Sequence, residues 1–399
     1  MKILLVTGRF PQRSETFIYR KAVALARRGH EVTVLARSRG DWGLYPEPLP
    51  PSLTVIDMPP DLARGSPTSF ARSLLPLAEA IAEPGQLRQL AKLARAHPPS
   101  ARTFARHLPF VGRAADVIHF EFLGLAALYP LAGPLLGIPT IASCRGQDVH
   151  LLAIKQGAAH ASQLAALRHA SALHCVSREL ASAVESLTGR KEGVWVNHGA
   201  VDVAAIQPQQ RVRADGSPLQ LLIAGRLVWV KGLDYLLAAL AQLVRRGVSF
   251  RARILGEGEL QTVLRFSIDD LGLKDHVSLV GGVTSAQVLD ELGHTDLFVL
   301  SSLEEGISNG VLEAMASGVP VVTTRAGGMV EAVTDGVEGF VVPIRDPASL
   351  ADAIARVAAD EQLRARMGLA ARDRAVRCFS IERHIDTFEK IYKSVAGAA

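Results

Sequence analysis

Three cysteines in 399 residues leave little scope for a disulfide framework. Cys144, Cys175 and Cys378 stand far apart in the sequence and show no metal or redox spacing, so they are expected as reduced core residues of a cytosolic protein. Histidines at zinc-ligand spacing are also missing, and the isolated His119, His174 and His198 are expected in structural roles. No Asp-x-Asp pair stands at a strand end to hold a divalent ion, so neither a metal nor another cofactor is expected. The apolar run of "MKILLVTGRF" is broken by Arg9, too early for a signal peptide, and reads as a first strand. Only Phe122 to Cys144 is both free of charge and long enough to span a bilayer. It contains Pro130, Pro134 and Pro139 with Gly124, Gly133 and Gly137, so a buried helix, turn and strand is the better reading.

What is present is a globular composition. With 48% hydrophobic and 21% charged residues, a largely disordered chain is excluded, and the length suits two domains with a core each. Charge is uneven. Residues 1–200 hold 23 Lys and Arg against 14 Asp and Glu, whereas residues 201–399 hold 21 against 25. Residues 61–113 alone hold eight basic and three acidic residues among Leu, Ala and Phe. A solvated helix face is the favoured reading of that segment; contact with an anionic membrane surface is the alternative.

Strand-like and helical runs alternate from the first residue, as in "KILLVTG", "TFIYRKAVALARRGH" and "EVTVLA". The alternation implies parallel strands joined by helical crossovers. It is interrupted by "YPEPLPPS" and the basic segment, resumes at "DVIHFEF", and stops at the polar "IQPQQRVRADGSP", which reads as a linker. A second alternation begins at "LQLLIAG" and continues to "VPVVTTRAGG". The expected fold is therefore α/β, with two doubly wound domains and ligands at the carboxyl ends of strands in the cleft between them.

The second half carries the chemistry. In "AGRLVWVKGLDYL" the strand-ending Gly225 is followed at once by Arg226, and Lys231 comes five residues later at a helix start. An arginine can fork onto phosphate oxygens and a lysine supplies a mobile point charge, although loop cations are usually only solvated. In "SSLEEGISNGVLEAMASGVP" the turn Gly306, Ile307, Ser308, Asn309 opens a helix and is flanked by Glu305 and Glu313. A helix start attracts anions, but two carboxylates repel them. A ligand with phosphate at one end and hydroxyls at the other resolves the conflict, because ionised Glu accepts from sugar hydroxyls. A nucleotide sugar has that make-up. "LGEGEL", with two glycines, is a poor dinucleotide fingerprint.

The ordered set of Gly-Arg, Lys-Gly, Glu-x7-Glu within "EEGISNGVLEAMASGVPVV", the glycine pair at 327–328 and "DGVEGFVVP" resembles the retaining family 4 glycosyltransferases of GT-B fold. The likeness covers nearly the whole chain and is most specific from about residue 220 to 345. "FPQRSETFIYRKAVALARRGHEVTVLA" is similar to a branch that makes bacterial exopolysaccharides and surface glycans, with Ser14, Glu15 and Thr16 in place of a glycine pair. The resemblance implies an acceptor-binding Rossmann-like domain over 1–203, a nucleotide-sugar-binding one over 204–379, and a helix over 380–399 packing back across the junction. It also implies that Arg226 and Lys231 hold the donor diphosphate, that Glu313 receives the ribose hydroxyls, and that Glu305 faces the transferred sugar. Backbone N–H groups from Gly306 to Asn309 would orient sugar and phosphate.

One departure stands out: where the family carries His-Gly-x-Asp, this chain has "CRGQDV", with Arg145 in place of the histidine and Asp148 retained. Arginine is no general base near neutral pH. Either a departing phosphate oxygen takes the acceptor proton, or Arg145 neutralises an anionic acceptor, or the protein is not catalytic. The expectation is a cytoplasmic enzyme, peripheral to the inner face of the membrane. Its partners would be a UDP- or GDP-linked sugar and a glycan or lipid-linked acceptor, with no nucleic acid. A nucleotide-sugar epimerase and a non-catalytic nucleotide-sugar-binding scaffold are the rivals.

Overall fold

The computed structural model describes residues 1–45, 47–58, 84–95, 101–153, 157–208 and 216–397. Two compact units divide the chain: Met1–Cys175 with Ala181–Asn197 and Ile385–Ala399, and Val176–Leu180 with His198–His384.

The first unit holds a seven-stranded parallel sheet in the order β3-β2-β1-β4-β5-β6-β7. Its strands are β1 (Lys2–Phe10), β2 (Glu31–Arg39), β3 (Leu53–Asp57), β4 (Val117–Phe120), β5 (Thr140–Cys144), β6 (Ala172–Cys175) and β7 (Val194–Val196). The central strands β4, β5 and β6 are buried almost throughout, which is what a sheet covered by crossover helices on both faces requires. The order reverses between β1 and β4, so the carboxyl ends of those strands form this sheet's topological switch point. Helix Thr16–Arg27 leaves the first end, burying Ile18, Ala22, Leu25 and Ala26 at helical spacing. Glu121 follows the second.

The second unit repeats the plan with six parallel strands in the order β10-β9-β8-β11-β12-β13. These are β8 (Leu219–Ala224), β9 (Phe250–Leu255), β10 (Val277–Gly281), β11 (Leu297–Leu300), β12 (Val321–Thr324) and β13 (Gly339–Val342). Helix Leu233–Arg245 buries Leu236, Leu237, Leu240 and Leu243 against one face. Helix Asn309–Ala316 buries Val311, Leu312 and Met315 within the core on the other. The switch point here lies between β8 and β11.

The uncharged stretch folds as helices Leu123–Leu128 and Ala132–Leu136 followed by β5, as its prolines and glycines indicate. Among the described residues no helix is long and apolar enough to cross a membrane. One cysteine expectation needs correction, that for Cys378, while Cys144 and Cys175 are free and buried as expected. Cys378 is exposed at the end of helix Glu361–Cys378, and Cys144 and Cys175, distant in sequence, are register partners on β5 and β6. Parallel pairing brings together residues that the sequence separates by a whole crossover. Most of the expected linker, residues 209–215, lies outside the described residues, as do residues 61–83 and 96–100 of the basic segment.

Candidate active site

In the second unit the two expected elements sit at the ends of β8 and β11, the strands that flank its switch point. A small cavity is lined by Gly225, Arg226, Lys231 and Ser301. Arg226 is exposed, whereas Lys231 and Glu305 are largely buried and form an ion pair. Ser302 Oγ donates to Glu305 Oε1 at 2.8 Å, fixing the carboxylate from its other side. The Lys231 turn is held by the backbone: Leu303 N–H donates to the Val230 carbonyl at 2.8 Å and Ser301 Oγ to the Lys231 carbonyl at 2.9 Å. Gly232 closes that turn at φ +57°, where a Cβ would overlap the Ser301 carbonyl oxygen.

The loop from Ser301 to Asn309 is fixed equally closely. Thr324 Oγ1 donates to the Ser302 carbonyl at 2.5 Å, and Gly328 N–H donates to the Glu305 carbonyl at 3.1 Å. The 327–328 glycine pair is explained by this contact, since a Cβ on either would overlap the Glu305 or Gly306 carbonyl oxygen. Helix Asn309–Ala316 starts after Ser308 with no side-chain cap on its first N–H groups. Gly306 and Ser308 are buried, Ile307 and Asn309 half-buried, and Glu313 lies buried in the second helical turn.

The first unit gives its candidate residues less uniform roles. Ser14 and Glu15 belong to a 3-10 turn, Arg13–Glu15, that leads into helix Thr16–Arg27, and Thr16 is buried. Ser14 accepts from Gln12 Nε2 at 2.8 Å. Asp148 takes the backbone N–H groups of Arg145 and Gly146 on Oδ1, at 2.9 and 3.0 Å, and so shapes the turn after β5. Burial pushes its carboxyl up from the ordinary range, against the pull of these amides. Arg145 is held by neighbours in the same unit. Its Nη2 pairs with Glu121 Oε2 at 2.6 Å, its Nε donates to the Glu121 carbonyl at 2.8 Å, and the Phe17 ring lies 4.1 Å away. The carboxylate one residue past β4 supplies the partner.

The same carboxylate receives Lys21 from helix Thr16–Arg27, and both groups are shut off from solvent. Beside them runs a relay of hydrogen bonds. His174 Nε2 meets the Asn197 carbonyl at 2.8 Å, so that nitrogen carries the proton and Nδ1 accepts. Ser143 then donates to His174 Nδ1 at 2.8 Å and accepts from His119 Nε2 at 2.9 Å. His119 Nδ1 is left to accept from the Tyr392 hydroxyl at 2.8 Å. A single backbone carbonyl thus sets both tautomers, and His119 and His174 have the structural role that their isolation suggests. His198 pairs with Glu331 at 2.9 Å.

Comparison with known families decides the identity. A model described as glycosyl transferases group 1 matches residues 207–374, and one described as a glycosyl transferase 4-like domain matches residues 14–200. The chain belongs to the group 1 glycosyl transferases. This glycosyl transferase is 37% identical over 179 residues to a putative colanic acid biosynthesis glycosyltransferase of Escherichia coli K12, a match spanning 43% of each chain. It is 30% identical over 235 residues to a lipopolysaccharide core biosynthesis glycosyltransferase of Rhizobium meliloti, covering 58% of this chain and 67% of that one. The chain thus spans under half the length of the first relative and two thirds of the second. Among solved structures, Anabaena HepE in complex with UDP-glucose superposes with a TM-score of 0.75 at 20% identity, covering 99% of this chain and all of that one. That likeness establishes the GT-B fold: two parallel-sheet Rossmann-like domains.

Sequence reading of this glycosyl transferase missed three residues. Glu121 was visible as the lone carboxylate in "HFEFLG", one residue past a buried strand. Lys21 was visible as a cation among apolar positions of an amphipathic helix. Glu331, three residues after the glycine pair, accepts from the backbone of Arg178 and Glu179 at the start of helix Arg178–Thr188. No local signal announces that contact, because its partner lies about 150 residues away.

Proposed function

We propose that this chain is a retaining transferase that moves a sugar from a UDP- or GDP-linked donor to a glycan or lipid-linked acceptor in bacterial surface-polysaccharide synthesis. The observation that carries the reading is the pairing of Lys231 with Glu305 beside Arg226 at the ends of β8 and β11. Cations and carboxylates held side by side suit a ligand that is phosphate at one end and hydroxyl at the other. In the transfer, the bond between the anomeric carbon and the donor phosphate oxygen breaks and its electron pair goes to that oxygen. Arg226 and Lys231 stabilise the charge that develops there. The acceptor hydroxyl attacks from the same face, and its proton passes to the departing phosphate oxygen, so no side-chain base is required. Glu305 orients the hydroxyls of the transferred sugar and Glu313 those of the ribose.

The donor class is supported by the HepE complex with UDP-glucose, and the surface-glycan role by the colanic acid and lipopolysaccharide relatives. Metal independence is part of the proposal, because the side chains assigned to the diphosphate already supply the positive charge. Action at the cytoplasmic face of the membrane, held there by the basic segment of residues 61–113, completes it. The test is mass spectrometry, with proton NMR of the anomeric centre, of products from a panel of UDP- and GDP-sugars, with and without a chelator. A product that keeps the donor's anomeric configuration, formed equally well in chelator, is expected. Donor binding without turnover would instead establish a scaffold, and loss of activity restored by Mg²⁺ would refute metal independence.

A further inference from the structure

An arginine just past a strand end is usually a mobile group, with four side-chain torsions to fix before it can bind anything. Arg145 is already fixed. Nε and Nη2 are committed to the Glu121 carbonyl and carboxylate, at 2.8 and 2.6 Å, and the ring centroids of Phe17 and Phe122 lie 4.1 and 5.5 Å from its central carbon. Nη1 has no hydrogen-bond partner among the described residues. The guanidinium is thus held in one orientation with one edge uncommitted, at the carboxyl end of β5 and against the carboxylate that follows β4 at the switch point.

Glu121 alone would neutralise the arginine and blunt its attraction for an anion. Lys21, on the carboxylate's other oxygen, changes that balance. The carboxylate is shared between two cations, so the three side chains carry one surplus positive charge, with Lys21 and Glu121 closed to water and Arg145 partly exposed. Asp148, the other nearby carboxylate, is turned to the backbone amides of the β5 turn.

We infer that Glu121 and Lys21 are positioning residues that preset Arg145 to receive an anionic oxygen of the acceptor, phosphate or carboxylate, on its Nη1 edge. The inference rests on the proposed transfer activity and adds the acceptor's chemical class. An acceptor of this kind is made by a reaction that attaches a phosphate or a uronic acid, which must precede this step.

The test compares three synthetic acceptors that differ in charge: p-nitrophenyl glucoside, p-nitrophenyl glucuronide, and a glucosyl phosphate with an octyl tail. The full chain should prefer one of the anionic pair over the neutral glucoside by at least ~10-fold in kcat/KM, and which one it prefers identifies the source of the charge. Arg145→Ala should abolish the preference while leaving the donor KM unchanged. Glu121→Gln alone strands a buried ammonium, so the positioning variant is Lys21→Met with Glu121→Gln, which replaces the pair by neutral groups of similar shape. That double variant should also lose the preference at unchanged donor KM. Guanidinium ion should restore transfer in Arg145→Ala and fail to do so when the double replacement is added. Equal use of all three acceptors by the full chain overturns the inference alone. A preference lost in Arg145→Ala but kept in the double variant overturns the positioning role. Absence of transfer from every nucleotide sugar removes the activity itself, and the inference falls with it.

Discussion

At Lys21 an amphipathic helix places an ammonium where water does not reach, with a side-chain exposure of 2%. Burial lowers its pKa to about 8; Glu121 pulls it upward, and Arg145 adds to the lowering. Burial pushes the Glu121 carboxyl up, yet the charges and hydrogen bonds of Lys21 and Arg145 outweigh this and hold it below its ordinary value. The two groups therefore act on stability in different pH ranges. Between about 8 and 10.5 the unfolded lysine binds a proton that the folded one has lost, so Lys21 makes the protein more stable as pH rises through that window, by up to ~1.4 kcal/mol per pH unit. Glu121 contributes stability that is present above its ordinary value and is lost as pH falls through its lower folded value. Lys21→Met removes the first effect and leaves Glu121 paired with Arg145. Urea midpoints of both proteins, measured from pH 7 to 10.5, should show the wild type gaining on the variant above pH 8. A constant difference across that range would refute a neutralising lysine.

Among the elements, the two loops after β8 and β11 were the most legible. Gly225, Arg226, Lys231 and Glu305 were expected just past strand ends, and they lie after β8 and β11, which flank the switch point, with Glu313 following in helix Asn309–Ala316. The glycines at 327 and 328 could be read as a motif but not explained, since the reason is the carbonyl groups of Glu305 and Gly306, some twenty residues earlier. Arg145 shows the limit most clearly. Its place after β5 was readable, while its partner is set by which strand neighbours which, and β4 and β5 are brought together only by the fold. Two variants separate charge from support in the loops proposed to bind the donor. Arg226→Ala should lower kcat by roughly two orders of magnitude with an unchanged melting temperature, since it removes exposed charge stabilisation only. Gly327→Ala adds a Cβ at φ +50° against the Glu305 carbonyl and should cost about 1–3 kcal/mol of stability as well as raising the donor KM. A Gly327→Ala protein with wild-type melting and donor kinetics would show that the loop is not held by that contact.

For the whole molecule the organising asymmetry is electrostatic. Residues 1–200 carry 23 basic and 14 acidic side chains while residues 201–399 carry 21 and 25, although both halves are built on the same parallel-sheet plan. Folding does not call for such a split, because net charge governs association and solubility and not the choice of fold. Its basic half is the one that contains Arg145 with its surplus positive charge, so an anionic lipid surface and an anionic acceptor would draw on the same sign. Residues 84–95 and 101–113, the described part of the basic segment, include Arg88, Lys92, Arg95, Arg102, Arg106 and Arg113 and no acidic residue. Each basic residue near an anionic surface contributes about 1 kcal/mol, an attraction that fades over a Debye length of roughly 10 Å at 0.1 M salt. The full chain should therefore sediment with phosphatidylserine-containing vesicles at low salt and leave them as salt rises. Replacing Arg88, Lys92 and Arg95 with Gln should shift that release to lower salt without changing transfer to a water-soluble acceptor. Equal binding to neutral phosphatidylcholine vesicles, or a release unmoved by the triple replacement, would return this segment to a solvated helix face.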